Sequence, residues 1–568
     1  MFSCAYLEST RVTKKAEEAM QNERNPSDPE VVISRTRDID GRPVFDTHLT
    51  PTEDTRTKVI ETKLPAVIPI VFLPGIMGTN LKNKKTGNAV WRPPNMSLNL
   101  ADILGVVAAL ATWGIRGPKQ RQQILKAEDL TVDDGGSIDV GESGLAKETA
   151  RKRGWGSVLR TSYNPVMGLL EARTSRIVAN RTLQGWWSTE GLRPPGDYGE
   201  ETGQPPLTEP ELMKAARYDF DVWCAGYNWL QSNRKSAEDV RQYIENTVLR
   251  HYREQKPPVP ADKVILVTHS MGGLVARALT NLVGYEKVLG VVHGVLPATG
   301  APAIYHHMRA GYEGPEQLIL GSNAGEVTAV VANSAGALEL CPTFDHRSGQ
   351  PWLLLQDSNG LTNTDEEGMP CHYPRIGNPY DEIYKNPSWY GLVPAQNTKF
   401  LDLSETEGGT KKNTRARFNF LIDEVETFHR DISSQYHDES FVHYGADGSK
   451  SMHSWQDIVW RGSTMPFPIS QFPANDNGNG SFRLGEFRDG PKLTRVSGSG
   501  DGTVPTSSGE APHGSGVKAS FRQGPMGHGA CNIEDKGYDH QSSYNDPRAR
   551  WATLYGVIRI AQLANWAP

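Results

Sequence analysis

No apolar run in this sequence reaches the roughly 18–20 residues that a membrane-spanning helix needs. The longest candidate, Ile103 to Ile115 (ILGVVAALATWGI), is too short to span. Cysteine is sparse as well. Cys4, Cys224, Cys341, Cys371 and Cys531 stand far apart, are odd in number and include no pair at metal-ligand spacing. That argues against a disulfide scaffold and against a zinc site built on cysteine. An excess of positive charge is also missing. Sixty Lys and Arg face 66 Asp and Glu, a net charge of −6, so nothing marks a nucleic-acid binder. The opening stretch, MFSCAYLESTRVTKKAEEAM, carries charges where a cleaved signal peptide needs its apolar segment. The expectation is a chain that is soluble when made and exported, if at all, by a route without such a signal.

What is present is 568 residues with only 37% hydrophobic character, 56 Gly and 38 Pro, which predicts much loop around a sufficient core. Residues 1–60 are polar and proline-punctuated and read as an N-terminal arm. At Val67–Leu73 (VIPIVFL) the texture changes to a short apolar run bounded by prolines, the look of a strand buried on both faces. Residues 82–205 have no clear sheet pattern and read as loops and helices inserted over a core. Then come a strand at Tyr218–Trp223, a helix at Ser236–His251 opened by Ser236 and Asp239, a strand at Lys263–Val267, a helix at Gly272–Leu282 and a strand at Val288–Val292. This alternation predicts a mostly parallel, doubly wound α/β sheet. Residues 61–345 are thus the first part of the core and 346–490 a second insertion, a cap, holding an amphipathic helix at Thr414–Gln435. The core resumes over 491–568 and closes with a helix that starts at Asp546-Pro547.

The sharpest chemical feature is Lys263–Leu274, KVILVTHSMGGL: a buried strand, a tight turn and a helix. A nucleophilic serine needs this context, because the turn lifts the hydroxyl above the sheet and aims the next N–H from a helix N-terminus. Ser270 is the candidate nucleophile and Met271 N–H a candidate oxyanion donor. Thr268 stands where a smaller residue is usual, and His269 reads as structural because neighbours on such a turn point apart. Pro74–Thr79 (PGIMGT), directly after the first strand, offers Ile76 N–H as the second oxyanion donor. Asp501, in the turn GDGTVP after the strand Leu493–Val496, is the candidate acid. After it stand His513, His528 and His540. The order Ser…Asp…His is that of α/β-hydrolases, whose base precedes the last helix. His540 fits that place, with His528 as the alternative.

These pieces resemble α/β-hydrolase lipases, in particular the relatives of lecithin:cholesterol acyltransferase and lysosomal phospholipases. The likeness rests on PGIMGT, THSMGG, GDGTVP and Gly226–Trp229 (GYNW), where Asn228 replaces those relatives' aspartate. Arg153–Ser157 (RGWGS), His293–Pro302 (HGVLPATGAP), Trp389–Val393 (WYGLV) and Tyr538–Tyr544 (YDHQSSY) are similar to type VI secretion lipase effectors. The resemblance implies an α/β-hydrolase fold and a Ser270–His540–Asp501 triad with Met271 and Ile76 as oxyanion donors. It implies no organic cofactor; a structural calcium stays unassigned, since no calcium-loop pattern is present. The implied activity is that of a lipase or phospholipase acting on membrane lipid, with reversible membrane contact. The implied setting is synthesis in a bacterial cytoplasm and type VI delivery into a target periplasm as an antibacterial toxin, with an immunity protein and a secretion-spike carrier as partners. An acyltransferase using an alcohol acceptor, or a silent hydrolase-fold binding protein, are the competing readings. Ile103–Ile115 reads as a core or cap helix, or else as a lid.

Overall fold

A computed structural model describes residues 66–93, 113, 116–179, 182–312, 321–401, 406–407, 410–411, 414–449, 454–462, 474–484, 488–525 and 537–567, with four three-residue strands ahead of residue 61. The chain divides into two units, residues 1–64 with 178–182, and the remainder. In the first, Val31–Ile33 pairs parallel with Lys58–Ile60, and Arg35–Arg37 antiparallel with Pro43–Phe45.

The second unit is built on a six-stranded sheet. Its strands are β1 (Val67–Leu73), β2 (Asp219–Cys224), β3 (Val264–His269), β4 (Val288–Gly294), β5 (Ser440–Gly445) and β6 (Ala519–Gln523). They lie in the order β2-β1-β3-β4-β5-β6, every pair parallel. β1, β3, β4 and β5 are buried along their whole length, which requires helices on both faces and explains the unbroken VIPIVFL run. This is the α/β-hydrolase fold.

The helices that matter to the site are α1 (Arg160–Thr174), α2 (Asn233–Tyr243), α3 (Gly272–Arg277), α4 (Ala303–Ala310), α5 (Thr414–Ile432) and α6 (Pro547–Ala561). On one face of the sheet Val71, Leu73, Leu266 and Val291 share a core with Val240, Ile244, Val275 and Leu279. The other face is covered by α6, whose Gly556 packs so closely that a Cβ would sit 2.8 Å from Val292. α6 starts as its sequence suggests, with Asp546 accepting from Arg548 N–H and Pro547 in the first turn. α2 begins earlier than Ser236. Its cap is Ser232, which accepts from Lys235 N–H, and Ser236 is buried inside the helix.

A second sheet, mixed in direction, runs His372–Tyr373, Leu353–Gln356, Ser454–Arg461, Arg488–Gly498, Ser481–Leu484, Ala474–Asp476. It has its own core of Trp352, Leu355, Tyr384, Trp389, Trp460 and Phe482. α5 joins the two cores. Phe418, Ile422 and Val425 enter the second core, while Phe428 and Ile432, one to two turns on, enter the first.

Three sequence expectations change. The stretch 346–490 is not wholly a cap, because β5 lies within it and forms the fifth strand of the central sheet. SFVHYG hides that role: Ser440 and His443 are buried but polar, so no apolar run announces a strand. The core does not resume near residue 491, since Arg488–Gly498 belongs to the second sheet and the central sheet resumes only at Ala519. Residues 82–205 do hold a small sheet, Ala89–Trp91, Leu81–Asn83 and Leu130–Val132. Of Ile103–Ile115, only Trp113 lies among the described residues, buried against Trp91. Cys4, Cys531 and His528 lie outside them, whereas Cys224, Cys341 and Cys371 are buried free thiols. No described helix is long and apolar enough to cross a membrane.

Arg309 of α4 anchors the second sheet. Its buried guanidinium pairs with Asp476 at 3.1 Å and lies 5.1 Å and 5.6 Å from the Trp460 and Phe482 ring centres. Asp476→Ala leaves that cation buried without its carboxylate and should destabilise the second unit by about 3–5 kcal/mol. The loss is read as a lower denaturant midpoint of Trp fluorescence.

Candidate active site

The site is assembled at the C-terminal edge of the central sheet, from loops that follow four of its strands. β3 delivers Ser270, which sits at φ +52°, a left-handed conformation that costs a non-glycine residue strain and persists only where the surroundings impose it. Here they do. Ser270 N–H donates to Gly294 O at 2.9 Å, tying the elbow to the end of β4. Gly272 must lack a side chain, because a Cβ there would lie 2.5 Å from Leu73 O and 2.6 Å from Pro74 O. Thr268 is buried at the end of β3 and close to Gly273. A Cβ on Gly273 would come within 3.3 Å of Thr268 Oγ1, which instead faces His293 Nδ1 at 3.3 Å.

The loop after β1 packs directly on the elbow. A Cβ on Gly75 would meet His269 Nδ1 at 2.8 Å and Ser270 Cβ at 3.0 Å. Tyr227, from the GYNW segment, donates its hydroxyl to Pro74 O at 2.7 Å and holds the loop down. Asn228 of the same segment turns away and donates to Ala127 O and Leu130 O. Met77 is the loop's strained residue, at φ +61°. Neither Ile76 N–H nor Met271 N–H finds an acceptor among the described residues.

Asp501 and His540 arrive from beyond the second sheet and from the loop before α6. His540 Nδ1 lies 2.7 Å from Asp501 Oδ2, and His540 Nε2 lies 2.9 Å from Ser270 Oγ. The carboxylate takes Nδ1–H, so Nε2 is the acceptor for the serine hydroxyl. Asp501 Oδ1 is spoken for by Thr503 N–H and Val504 N–H at 3.1 and 2.8 Å, which fixes the carboxylate plane. Burial disfavours a charged His540, but the charge and hydrogen bond of Asp501, together with the charge of Asp539, hold its pKa above 6.5. His513 is elsewhere, half exposed and 3.7 Å from Glu201.

The side chain of His269 does not approach Ser270 Oγ as a base. Burial, and secondarily the neighbouring His540, push its pKa down to about 3, so it stays neutral. One further residue shapes the site without any signal in the sequence. Asp447, just past β5, accepts from Gly537 N–H at 2.6 Å and from Ser449 N–H at 2.7 Å, and its backbone pairs with Gly500. It thereby draws the Asp501 loop and the His540 loop together, over an interval that no motif spacing encodes.

Ser270, Asp501 and His540 are 5%, 1% and 8% exposed, so the reacting atoms are shielded from bulk water. A small apolar void of about 20 Å³ is lined by Ile76, Met77, Leu125, Trp229, Ile304 and Val330. A separate polar cavity of about 380 Å³, lined in part by Arg277, Asp345 and Tyr436, does not include Ser270. Among the described residues no three His, Cys, Asp or Glu side chains gather as a metal site.

A family profile described as a PGAP1-like alpha/beta domain matches residues 225–310, the segment that carries β3, the elbow and β4. No curated protein sequence matches. Among solved structures, that of a Tle4–Tli4 complex is similar at 55% identity and a TM-score of 0.83, over 88% of this chain and 100% of that one. Lipase 1 from Pelosinus fermentans is similar at 12% identity over 66% of this chain and 94% of its own, with a TM-score of 0.23. At 55% identity over the whole of the solved chain, the protein belongs to the Tle4 family, among the type VI secretion lipase effectors, and is a lipase-type hydrolase.

Proposed function

We propose that the chain is a serine lipase that hydrolyses carboxylic esters of membrane phospholipids. The observation that carries this reading is the pair of short contacts His540 Nε2 to Ser270 Oγ and His540 Nδ1 to Asp501 Oδ2. His540 takes the Ser270 proton while the oxygen attacks the ester carbonyl. The oxyanion is received by Met271 N–H and Ile76 N–H, each such donor being worth about 2.7–4 kcal/mol in comparable sites. Asp501 stabilises the imidazolium, which then protonates the departing alcohol. Water, deprotonated by His540, cleaves the acyl-enzyme and releases the carboxylic acid. The route needs no cofactor.

The Tle4 relative was solved in complex with Tli4, and family membership supports an immunity-type partner for this chain. It also supports export by a type VI system. We further propose a spike carrier and a route from the bacterial cytoplasm where the chain is made into the periplasm of a target cell. There the lipase acts as an antibacterial toxin.

Ser270→Ala should lower fatty-acid release from phosphatidylethanolamine and phosphatidylglycerol vesicles by about 10⁴-fold or more. Lipid profiles of bacteria making either form in the periplasm are the cellular counterpart. Equal release by wild type and variant rules the assignment out, and an acyl ester formed with added alcohol points to acyl transfer.

The pH–rate profile is a second test. Only neutral His540 acts as base, so activity falls as pH drops through its pKa, and the wild-type acid limb should lie above 6.5. Asp501→Asn removes the charge that raises this pKa and leaves burial, which lowers it. The limb should move to lower pH while turnover falls about 10⁴-fold. An unmoved limb means that Asp501 is not the partner of the base.

A further inference from the structure

A buried tyrosine and a buried histidine that the mechanism does not use lie between the parts it does use. We propose that Tyr163 and His269 are positioning residues, which hold the base, the nucleophile elbow and the oxyanion loop in one arrangement through a single chain of hydrogen bonds. The proposal rests on the serine-hydrolase reading above.

The chain has four members. His540 O lies 2.9 Å from His269 Nε2, His269 Nδ1 lies 3.2 Å from Tyr163 Oη, and Gly75 N lies 3.2 Å from the same Tyr163 Oη. Its direction follows from which groups can donate. A carbonyl only accepts, so His269 Nε2 carries the proton. Neutral imidazole then presents Nδ1 as an acceptor, so the Tyr163 hydroxyl must donate to it. The phenol oxygen is left to accept from Gly75 N–H and from the Gln541 side-chain amide. Only this proton arrangement satisfies every member, and burial keeps it from titrating. His269 has its pKa pushed down to about 3, and Tyr163, fully buried on α1, has its pKa pushed up to about 12.

The three segments tied together come from distant parts of the sequence. Gly75 precedes Ile76, His269 precedes Ser270, and His540 belongs to the loop before α6. His540 is thereby held through both of its peptide groups. Its N–H donates to Asp501 O at 2.8 Å and its C=O accepts from His269. The ring centres of His269 and His540 are 5.1 Å apart, and those of Tyr163 and His269 5.4 Å.

The test uses the full-length protein, p-nitrophenyl octanoate as substrate and a fluorophosphonate titration to count competent sites. Tyr163→Phe removes one oxygen from the chain, His269→Phe removes the whole link, and His269→Gln can still donate to the His540 carbonyl. Per titrated site, Tyr163→Phe and His269→Phe should lower kcat about 10- to 100-fold with KM within about twofold of wild type. His269→Gln should recover about fivefold or more over His269→Phe. If kcat per titrated site stays within about twofold of wild type in both variants, the pair only fills the core and the proposal is overturned. It is overturned as well if glutamine does no better than phenylalanine. If wild type is not labelled at all, or Ser270→Ala is labelled equally, it is the serine-hydrolase reading that fails.

Discussion

Everything in the site depends on one imidazole being gripped between a carboxylate and a hydroxyl. Asp501 at 2.7 Å and Ser270 at 2.9 Å leave His540 no freedom to rotate without breaking a charge-assisted hydrogen bond in a water-poor setting. That grip explains the direction of the His540 pKa: burial works to lower it, and the Asp501 charge and hydrogen bond, joined by the Asp539 charge, together raise it. It also explains why so much of the surrounding structure is spent on loops. The three side chains come from three separate stretches of chain, and each stretch must be held to within a few tenths of an ångström for the contacts to form.

The parallel sheet makes this possible. With every strand of the central sheet running the same way, the loops that leave β1, β3, β4 and β5 all emerge at one edge. The Gly75 loop rests on the elbow, the elbow is bonded to Gly294, and the residue just past β5, Asp447, reaches both late loops. Tight backbone approach at Gly75 and Gly272 is the common device: where another residue would need room for a Cβ, these loops sit in direct contact. The left-handed Ser270 is tolerated because the surrounding contacts are too many to let it relax.

How much of this is legible in the sequence depends on whether a signal is local. Strands buried on both faces, such as VIPIVFL and KVILV, announce themselves as apolar runs, and THSMGG sits in the strand–turn–helix context that a nucleophile needs. Chain order picks out the candidate acid and base. What stays hidden is non-local. β5 escapes because its buried His443 and Ser440 break the apolar pattern, and Arg488–Gly498 looks like a returning core strand because pattern alone does not say which sheet a strand joins. Tyr163 and Asp447 carry no motif; only the folded chain shows that a residue in the first insertion touches the elbow. The cap of α2 is ambiguous in the sequence because Ser236 and Ser232 both precede apolar positions, and burial decides between them.

The Asp501 loop does not stand on the central sheet alone. Gly502 N–H donates to Ser454 Oγ, and that hydroxyl donates to Val504 O, so a residue opening a strand of the second sheet supports the acid from beneath. The stretch 346–490 is therefore no detachable lid. Exchanging it wholesale with that of another lipase would sever a foundation of the charge pair and excise a central strand in the same cut.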